Sequence, residues 1–466
     1  NFFRGLWWLI LLNLIIKPVW IFGIDRQVQN IVGHVAYGSY FGAFNLSIVL
    51  SFLTDAGLTN MMNRQMAAEN NLNLKQLLLV KSGLACLYAI AMFLIASLVH
   101  IPNLTIVVSL IIVQILTSFF VFFRNVITAR QYFITDAWLS VVDKSLMILI
   151  CGFFLYTPVF NYTFDIELFL RIQIICTLFA VGIALLILYR NNTLSNGNKI
   201  EVNNILRATL PFAFIILLMS AHYRLDGFLL ERIHTNGKLE TGIYAAAYRL
   251  LDAGNMIGYL AASFLVPFVA LNRNEQMRIE SIVINIRHFL FFPAILAVTY
   301  GISFAPWLQE ILYHTTSEYQ SLVLQLCIAS LPAYYLVHVY GSVLTAIGEL
   351  KIFITILLAS VVFNTVLNLI LIPNFGAEGC CIAALCSHYF CGLTTCIVAT
   401  KKTSLTFDLR SVLIYFLTAG ILLVTFIIGN KYHINELVML ATGGVFVLLI
   451  ISAKANYLKR HLFALR

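Results

Sequence analysis

Long apolar runs recur from one end of this 466-residue chain to the other. A run of about 18 or more such residues is long enough, as a helix, to cross the hydrocarbon core of a bilayer. Only 11% of the residues are charged, whereas soluble domains carry about 25%. We therefore predict an all-α polytopic membrane protein, and we exclude a water-soluble globule.

The runs predict about 14 transmembrane helices, here called spans 1 to 14. Spans 1 to 7 lie near 5–24, 35–58, 76–99, 104–123, 137–157, 167–189 and 207–231. Spans 8 to 14 lie near 241–271, 286–307, 321–346, 352–373, 378–400, 411–429 and 434–453. An even number of spans places both termini on the same side of the membrane.

The basic residues orient these spans. Most of the 29 Lys and Arg residues lie at the termini or in the even-numbered loops. The odd-numbered loops hold only Arg26, Arg232, Lys238 and Lys431. Because cytoplasmic loops are enriched in Lys and Arg, we predict that both termini are cytoplasmic. The formal charge of +9 then serves orientation, and we expect no nucleic-acid partner.

The loops are short, and none carries a soluble domain. A membrane enzyme that acts on sugars normally needs a sizeable extramembrane loop for its catalytic groups, so we expect no enzymatic activity. The nine cysteines all fall within apolar runs, without the spacing of a zinc site. We read them as small packing residues and expect neither a metal nor a cofactor.

The chain contains an internal repeat. Residues 38–46 read GSYFGAFNL and residues 242–250 read GIYAAAYRL, each at the start of the second span of its half. A looser match pairs VITA at 126–129 with VLTA at 343–346, each at the end of a fourth span. Both halves therefore run in the same direction, which predicts a parallel repeat with a substrate site between the halves.

Lys17 and Pro18 interrupt the first apolar run. A charged side chain at the bilayer centre costs about 2.5–3.5 kcal/mol even on lenient scales. A proline kink also frees carbonyl groups that lipid cannot satisfy. Snorkelling of Lys17 to the membrane surface is the alternative, but the proline favours a wet cavity.

Spans 2, 7 and 8 carry further polar groups. Ser47, Ser51 and Asp55 form a polar stripe along span 2, because they are spaced i, i+4 and i+8. Span 7 carries Ser220, Arg224 and Gly227 on one face and His222 and Asp226 on another, and span 8 carries Arg249 and Asp252 at pairing distance. We favour a cavity at which these groups meet over a purely structural ion pair.

Other charged and polar residues in the spans give a weaker indication of a functional site. Asp143 and Lys144 are adjacent, so we expect their side chains to diverge and to pair with neighbouring spans or to contact substrate. Lys81 and Arg171 lie near predicted membrane boundaries, where snorkelling is sufficient. Asn364 and Asn368 on span 11 are expected to form hydrogen bonds between helices.

Three stretches carry a family resemblance. They are YGSYFGAFNLSIVLSFLTDAGL in span 2, GIYAAAYRLLDAGNMIGYLAASFLVPF in span 8, and LTAIGELKIFITILLASVVFNTVLNLILIPNFGAEGCCIAAL across spans 10 to 12. The chain resembles the polysaccharide (O-antigen/capsule) flippases of the multidrug/oligosaccharidyl-lipid/polysaccharide (MOP) exporter superfamily. The resemblance covers nearly the whole chain and specifies the superfamily better than the substrate.

The resemblance implies two six-helix lobes, residues 1–200 and 201–403, with peripheral spans 13 and 14 and a basic tail in 404–466. It implies a flippase that moves undecaprenyl-diphosphate-linked oligosaccharide across the bacterial cytoplasmic membrane by alternating access. H⁺ or Na⁺ is a candidate coupling ion, and membrane lipid and polysaccharide-assembly proteins are candidate partners. The implied cavity is lined by spans 1, 2, 7 and 8.

The candidate site residues follow from that cavity and its cargo. Cations suit a diphosphate, and aromatic or polar side chains suit sugars. The candidate substrate-binding residues are Lys17, Arg26, Tyr40, Asn45, Arg224, Tyr244, Tyr248 and Arg249. The candidate ion-coupling residues are Asp55, His222, Asp226 and Asp252, and His222 lies one turn from Asp226.

The alternatives are a cation or drug antiporter of the same superfamily and a lipid II flippase. A membrane glycan polymerase or ligase is disfavoured because it would need a large periplasmic loop and would lack a parallel repeat. A scaffold ranks last, since buried charges would destabilise it without a purpose.

Overall fold

The computed structural model describes residues 2–59, 62, 73–101, 103–157, 164–190, 202–273, 275–315, 317–403, 405 and 409–463. The first half of the described chain contains helices α1 (Phe2–Pro18), α2 (Arg26–Leu50), α3 (Leu74–Leu98), α4 (Leu104–Ala129), α5 (Phe133–Tyr156), α6 (Ile166–Arg190) and α7 (Val202–Ile233). The second half contains α8 (Gly237–Leu271), α9 (Gln276–Ser303), α10 (Ala305–Tyr313), α11 (Glu318–Ile328), α12 (Leu331–Ile347), α13 (Leu350–Thr403), α14 (Leu409–Lys431) and α15 (Glu436–Phe463).

Among the described residues, 12 helical segments are long and apolar enough to cross a membrane. Two of them, Trp8–Thr54 with 47 residues and Leu350–Thr403 with 54 residues, would measure about 70 and 80 Å as straight helices at 1.5 Å per residue. A hydrocarbon core is only about 30 Å thick, so each segment contains two spans. All 14 predicted spans therefore have a helical counterpart, and the chain is an all-α, multi-pass membrane protein.

Each of these two long segments is interrupted by a glycine with non-helical backbone angles. Gly33 (φ 80°) separates spans 1 and 2, and Gly376 (φ 53°) separates spans 11 and 12. These backbone conformations strain any residue that carries a Cβ. At Gly376, the Tyr319 hydroxyl donates to the Phe375 carbonyl at 3.3 Å and accepts from the Ala377 amide at 3.1 Å. One side chain of α11 thus satisfies the backbone groups that the break releases.

Pro18 ends the regular part of the first helix. A π-helical segment, Val19–Asp25, follows it directly, as expected where a proline removes an intrahelical donor. The widened helix leaves the Gly23 carbonyl available, and this carbonyl accepts a 2.7 Å hydrogen bond from the Tyr156 hydroxyl of α5. Asn13 also donates to Ser140 of α5 at 2.8 Å, so α5 supports the first helix on both sides of the proline.

Asparagine side chains start two of the membrane helices. Asn73 accepts from the Gln76 amide at the start of α3, and Asn103 accepts from the Thr105 and Ile106 amides at the start of α4. The N-terminal amides of a helix lack intrahelical partners, and such caps contribute about 1 kcal/mol each.

The chain folds into two compact units, Asn1–Gly242 and Ile243–Arg466. An apolar core of the first unit joins residues of α3, α4, α5 and α6 around Phe122. A core of the second unit packs α14 and α15 against α9 around Phe292 and Phe426. The lobe boundaries 1–200, 201–403 and 404–466 stay a prediction.

Large apolar side chains cover much of the outer surface, as in Leu79, Leu98, Leu186, Leu369 and Phe416. Such exposure would be unfavourable in water, but it suits lipid chains. Apart from Cys86 and Cys386, the cysteines are buried, in agreement with the packing role predicted for them.

Candidate functional site

A glycine-lined seam joins α2 to α7 and the start of α8 within the first unit. A Cβ added at Gly38 would clash with the Lys238 carbonyl, and one added at Gly42 would lie 2.8 Å from Glu231 Oε2. Gly242 meets the His34 backbone in the same way, and Gln29 donates to the Gly242 carbonyl at 2.8 Å. Only glycine permits such close approach, so α2 is tightly packed against α7 at Gly42 and against the start of α8 at Gly38.

The predicted residues of α2 lie in this closed region. Tyr40 is buried, and its ring contacts those of Phe44 and Phe169. Asn45 is buried where Gly227 of α7 approaches it. Both side chains pack within the first unit.

The predicted cations of the first helix are only partly buried. Lys17 lies in the last turn of α1, and Arg26 follows the π-helical segment. Arg26 Nη2 lies 3.4 Å from Gln27 Oε1. Beside them, the buried Asp25 accepts a 2.9 Å hydrogen bond from Tyr37, a pair that the sequence analysis did not identify.

The predicted residues of α7 and α8 lie in different units. His222 and Asp226 are buried on α7 of the first unit, with the half-buried Arg224 between them. Tyr244 and Tyr248 are buried on α8 of the second unit, and their ring centroids are 5.5 Å apart. Arg249 Nη1 lies 3.9 Å from Asp252 Oδ2, as the spacing predicts. That Arg224 and Arg249 bind one ligand stays a prediction.

Lys81 requires a correction. The prediction that it snorkels to the membrane surface is wrong, because its side chain is 0% exposed. Its Nζ donates to Asp55 Oδ1 at 2.9 Å, to Ser118 Oγ at 2.8 Å and to the Thr54 carbonyl at 3.3 Å. The three N–H donors of the ammonium group are thus all used. A 3₁₀ turn, Ser51–Thr54, brings Asp55 to it at the end of span 2.

The Lys81–Asp55 pair borders a polar cavity of about 360 Å³ in the first unit. Asp55 is 23% exposed and is one of the groups that line this cavity. The lining residues are Ser51, Phe52, Thr54, Asp55, Thr59, Gln114, Thr117, Ser118, Val121, Asn125 and Ile216. Eight of these eleven residues carry a hydroxyl, amide or carboxylate group that can form hydrogen bonds to water or to a ligand.

Two residues of the predicted polar stripe lie at the cavity, although they follow the regular part of α2, which ends at Leu50. Ser51 and Asp55 line the cavity, and Ser47 accepts a 3.3 Å hydrogen bond from Gln114, another lining residue. On α7 the cavity wall includes Ile216. Ser220 and Arg224 follow at i+4 and i+8 and therefore share its helix face. That face of α7 leads from the cavity to a predicted phosphate-binding cation.

Asp143 and Lys144 also differ from the prediction. Their side chains do not diverge to separate partners, because Lys144 Nζ lies 3.5 Å from Asp143 Oδ2. Lys144 also stacks over the Trp20 ring at 4.9 Å, which is a favourable cation–π distance. Lys144 thus contacts both the carboxylate of Asp143 and the ring of Trp20, a residue of the π-helical segment.

Chemically, the first unit presents a polar space whose lining carboxylate, Asp55, is already neutralised. Neutral hydroxyl-rich groups can exchange hydrogen bonds with this lining, and Arg224 can attract an anion beyond it. Within the described ranges, no group of three or more His, Cys, Asp or Glu residues could hold a metal ion.

The comparisons with known proteins agree with this architecture. The structure of lipid II flippase MurJ in an inward closed conformation is similar over 97% of this chain and 100% of its own, with a TM-score of 0.69 and 13% identity. An inward-facing multidrug resistance MATE family transporter of the MOP superfamily is similar over 85% of this chain and 94% of its own, with a TM-score of 0.62 and 15% identity. A mutant of the Vibrio cholerae MATE transporter VcmN is similar over 89% of this chain and 98% of its own, with a TM-score of 0.61 and 16% identity.

At these identities, the likeness to solved structures shows the fold alone. No curated protein matches the chain. A model of the polysaccharide biosynthesis protein family, however, matches residues 2–272. This match covers more than half of the sequence, including α1 to α8 and the polar cavity. The chain therefore belongs to the polysaccharide biosynthesis protein family and has the fold of MOP superfamily transporters.

Proposed function

We propose that the protein is a flippase, and not an enzyme, for an undecaprenyl-diphosphate-linked oligosaccharide. It moves the headgroup across the bacterial cytoplasmic membrane by alternating access, with both termini in the cytoplasm. The family match to polysaccharide biosynthesis proteins supports the glycan cargo. The observation that carries the proposal is the polar cavity, whose α7 wall includes Ile216, and Arg224 follows Ile216 at i+8 on the same helix face.

The chemistry of the cavity suits a sugar rather than a cation. Its hydroxyl and amide groups can exchange hydrogen bonds with a glycan. Asp55 is already paired with Lys81 at 2.9 Å, so this carboxylate is not available to attract a cationic drug. Arg224 and Arg249 would bind the diphosphate, with Lys17 and Arg26 as further cations, since guanidinium groups bind phosphate through paired hydrogen bonds. Tyr40, Asn45, Tyr244 and Tyr248 are the proposed sugar-side residues.

Reconstitution into liposomes provides the direct test. A fluorescent prenyl-diphosphate oligosaccharide is placed in one leaflet, and its arrival in the other leaflet is measured. We expect Arg224→Ala and Arg249→Ala to insert normally and to lose at least about 90% of the flipping rate, because removing a charged hydrogen-bond donor typically costs about 1.5–3 kcal/mol.

Arg171→Ala is the matched control. Arg171 is 65% exposed and pairs with Glu167 of the same helix, at 3.4 Å. This variant should flip at the wild-type rate. Normal flipping by both Arg224→Ala and Arg249→Ala would refute the assignment of the cations. No leaflet exchange by the wild-type protein would refute the function.

A cation or drug antiporter is the second candidate, because MATE transporters share the fold. A deletion strain would then become sensitive to cationic drugs, while its surface polysaccharide would stay normal. The flippase proposal expects the opposite phenotype. His222, Asp226 and Asp252 remain proposed ion-coupling residues, with H⁺ or Na⁺ as the coupling ion in either case. Asp55, predicted with them, is already paired with Lys81.

A further inference from the structure

Arg287 is a buried cation in the first half of α9, within the second unit. The residue is only 6% exposed. Its Nη1 donates to the Tyr340 hydroxyl of α12 at 3.1 Å. Nε and Nη2 are buried and have no hydrogen-bond partner among the described residues, although the Tyr415 hydroxyl of α14 lies close to the guanidinium. Neither of these two donor groups therefore has a carboxylate partner among the described residues.

These two donors form one edge of the guanidinium, the edge that binds carboxylate or phosphate in a fork geometry. The first unit shows the same edge in use, where Arg124 Nε and Nη2 donate to the two oxygens of Asp136 at 2.8 and 3.2 Å. At Arg287, the equivalent edge faces no carboxylate of the described residues. The ion pairs described in the second unit are Arg249–Asp252, Arg278–Glu275 and Lys402–Glu349.

The buried cations of the two repeated halves differ in their partners. Helix α9 is the third membrane helix of the second half, as α3 is of the first half. The buried cation of α3 is Lys81, and Asp55 neutralises it at 2.9 Å. Arg287 contacts phenol hydroxyls instead. Because a buried charge without a counter-ion is strongly unfavourable, the second half calls for an anion that the described residues do not supply.

We propose that this edge of Arg287 binds a phosphate group. Tyr340 accepts from Nη1 and can donate its own hydroxyl hydrogen to the same anion. Bound there, the phosphate would be shielded from water, which strengthens its hydrogen bonds.

The surroundings favour an anion at this end of the helices. Exposed basic residues lie near the end of α13 and the start of α14. They are Lys401 and Lys402 of α13 and Arg410 of α14. Gln276, at the start of α9, donates to the Thr403 carbonyl, so α9 and α13 meet at this end. Basic pockets between helices on the cytoplasmic side of membrane proteins bind phospholipid headgroups. The phosphate source is therefore an anionic lipid or free inorganic phosphate.

Thermal unfolding of the purified full-length protein tests the site. One arm adds inorganic phosphate to protein in nanodiscs of phosphatidylcholine, with chloride at equal ionic strength as reference. The other arm replaces part of the phosphatidylcholine with phosphatidylglycerol. A ligand that binds only the folded state raises Tm. We expect a saturable rise in at least one arm, and the arm that responds identifies the source.

Two variants make the test specific. Arg287→Gln should weaken the response at least about tenfold in ligand concentration, because the charged fork is lost. Arg278→Gln changes an exposed arginine of the same helix and should respond as the wild type does. If Arg287→Gln does not fold, Tyr340→Phe removes one hydroxyl donor, keeps the arginine, and should shift the response by a smaller factor.

Two results would overturn the proposal. One is the absence of a Tm rise in both arms, or an equal rise in the wild type and in Arg287→Gln. The other concerns Asp408, which lies outside the described residues. If Asp408→Asn lowers Tm as much as Arg287→Gln does and phosphate has no effect, the anion belongs to the chain itself.

Discussion

At the scale of single residues, the Lys81–Asp55 pair is the most consequential feature. The ammonium group is fully buried, whereas Asp55 is partly exposed to the cavity. Removing the carboxylate leaves a buried cation without a counter-charge, so Asp55→Asn should destabilise the fold by about 3–5 kcal/mol. Lys81→Met leaves a carboxylate that the cavity can hydrate, and its effect should be smaller. Thermal unfolding in detergent should give a lower Tm for Asp55→Asn than for Lys81→Met.

The double variant separates pairing from packing. Asp55→Asn combined with Lys81→Met removes both charges and should recover most of the lost Tm, because apolar replacement of a whole buried pair is often neutral. Lys402→Met is the control, since Lys402 and Glu349 form an exposed pair whose loss should cost no more than about 1 kcal/mol. A double variant less stable than Asp55→Asn would contradict this account of the pair.

The sequence analysis underestimated Lys81 for a physical reason. Its position along span 3 is compatible with snorkelling, and burial became evident only once the 3₁₀ turn placed Asp55 and Thr54 against it. A usable signal was nevertheless present. Asp55 and Lys81 carry opposite charges at the same predicted membrane side of consecutive spans, where the desolvation penalty favours pairing.

At the scale of elements, the seam that joins α2 to α7 and to the start of α8 depends on glycine. A methyl group at Gly38 would overlap the Lys238 carbonyl, and backbone atoms cannot rotate away as a side chain can. Gly38→Ala should therefore force the helices apart, with a loss of about 1–3 kcal/mol from overpacking. The difference in Tm between the purified wild type and Gly38→Ala measures this loss of stability.

Gly182 provides the matched control for this seam. It lies within α6, and an added Cβ would meet nothing within 4 Å. Because alanine is the better helix former, Gly182→Ala should be neutral or stabilise by about 0.5–1 kcal/mol. Equal Tm values for the two alanine variants would show that close backbone contact at Gly38 is unimportant.

At the scale of the whole molecule, the apolar runs were sufficient to predict the fold class. The fourteen spans follow from length and hydropathy alone, and glycine breaks at Gly33 and Gly376 divide the two longest segments as predicted. The cavity was predictable only in part. Ser51 and Asp55 are spaced i, i+4 in the sequence, and Gln114 and Ser118 have the same spacing on α4. A helical period does not show that these two faces meet, because that depends on tertiary packing.

The ends of α2 differ in a way that matters for transport. Its middle part is closed against the start of α8 at Gly38 and against α7 at Gly42, while the polar cavity lies beyond its last turn at Ser51 and Asp55. The charge bias of the loops predicts that this second end faces the cytoplasm. On the proposed function, we expect solutes to enter this cavity from the cytoplasm.

Cysteine labelling in oriented membrane vesicles tests this directionality. Thr117 is exposed and lines the cavity, so Thr117→Cys should react with a charged, membrane-impermeant maleimide in inside-out vesicles and not in right-side-out ones. Cys86 and Cys386, the exposed native thiols, are first replaced by alanine. Tyr432→Cys, in the connection between α14 and α15, should label only from outside, and Lys401→Cys only from inside. Labelling of Thr117→Cys from outside alone, with both controls as expected, would mean that the seam is open and that this cavity is not the cytoplasmic vestibule of the transporter.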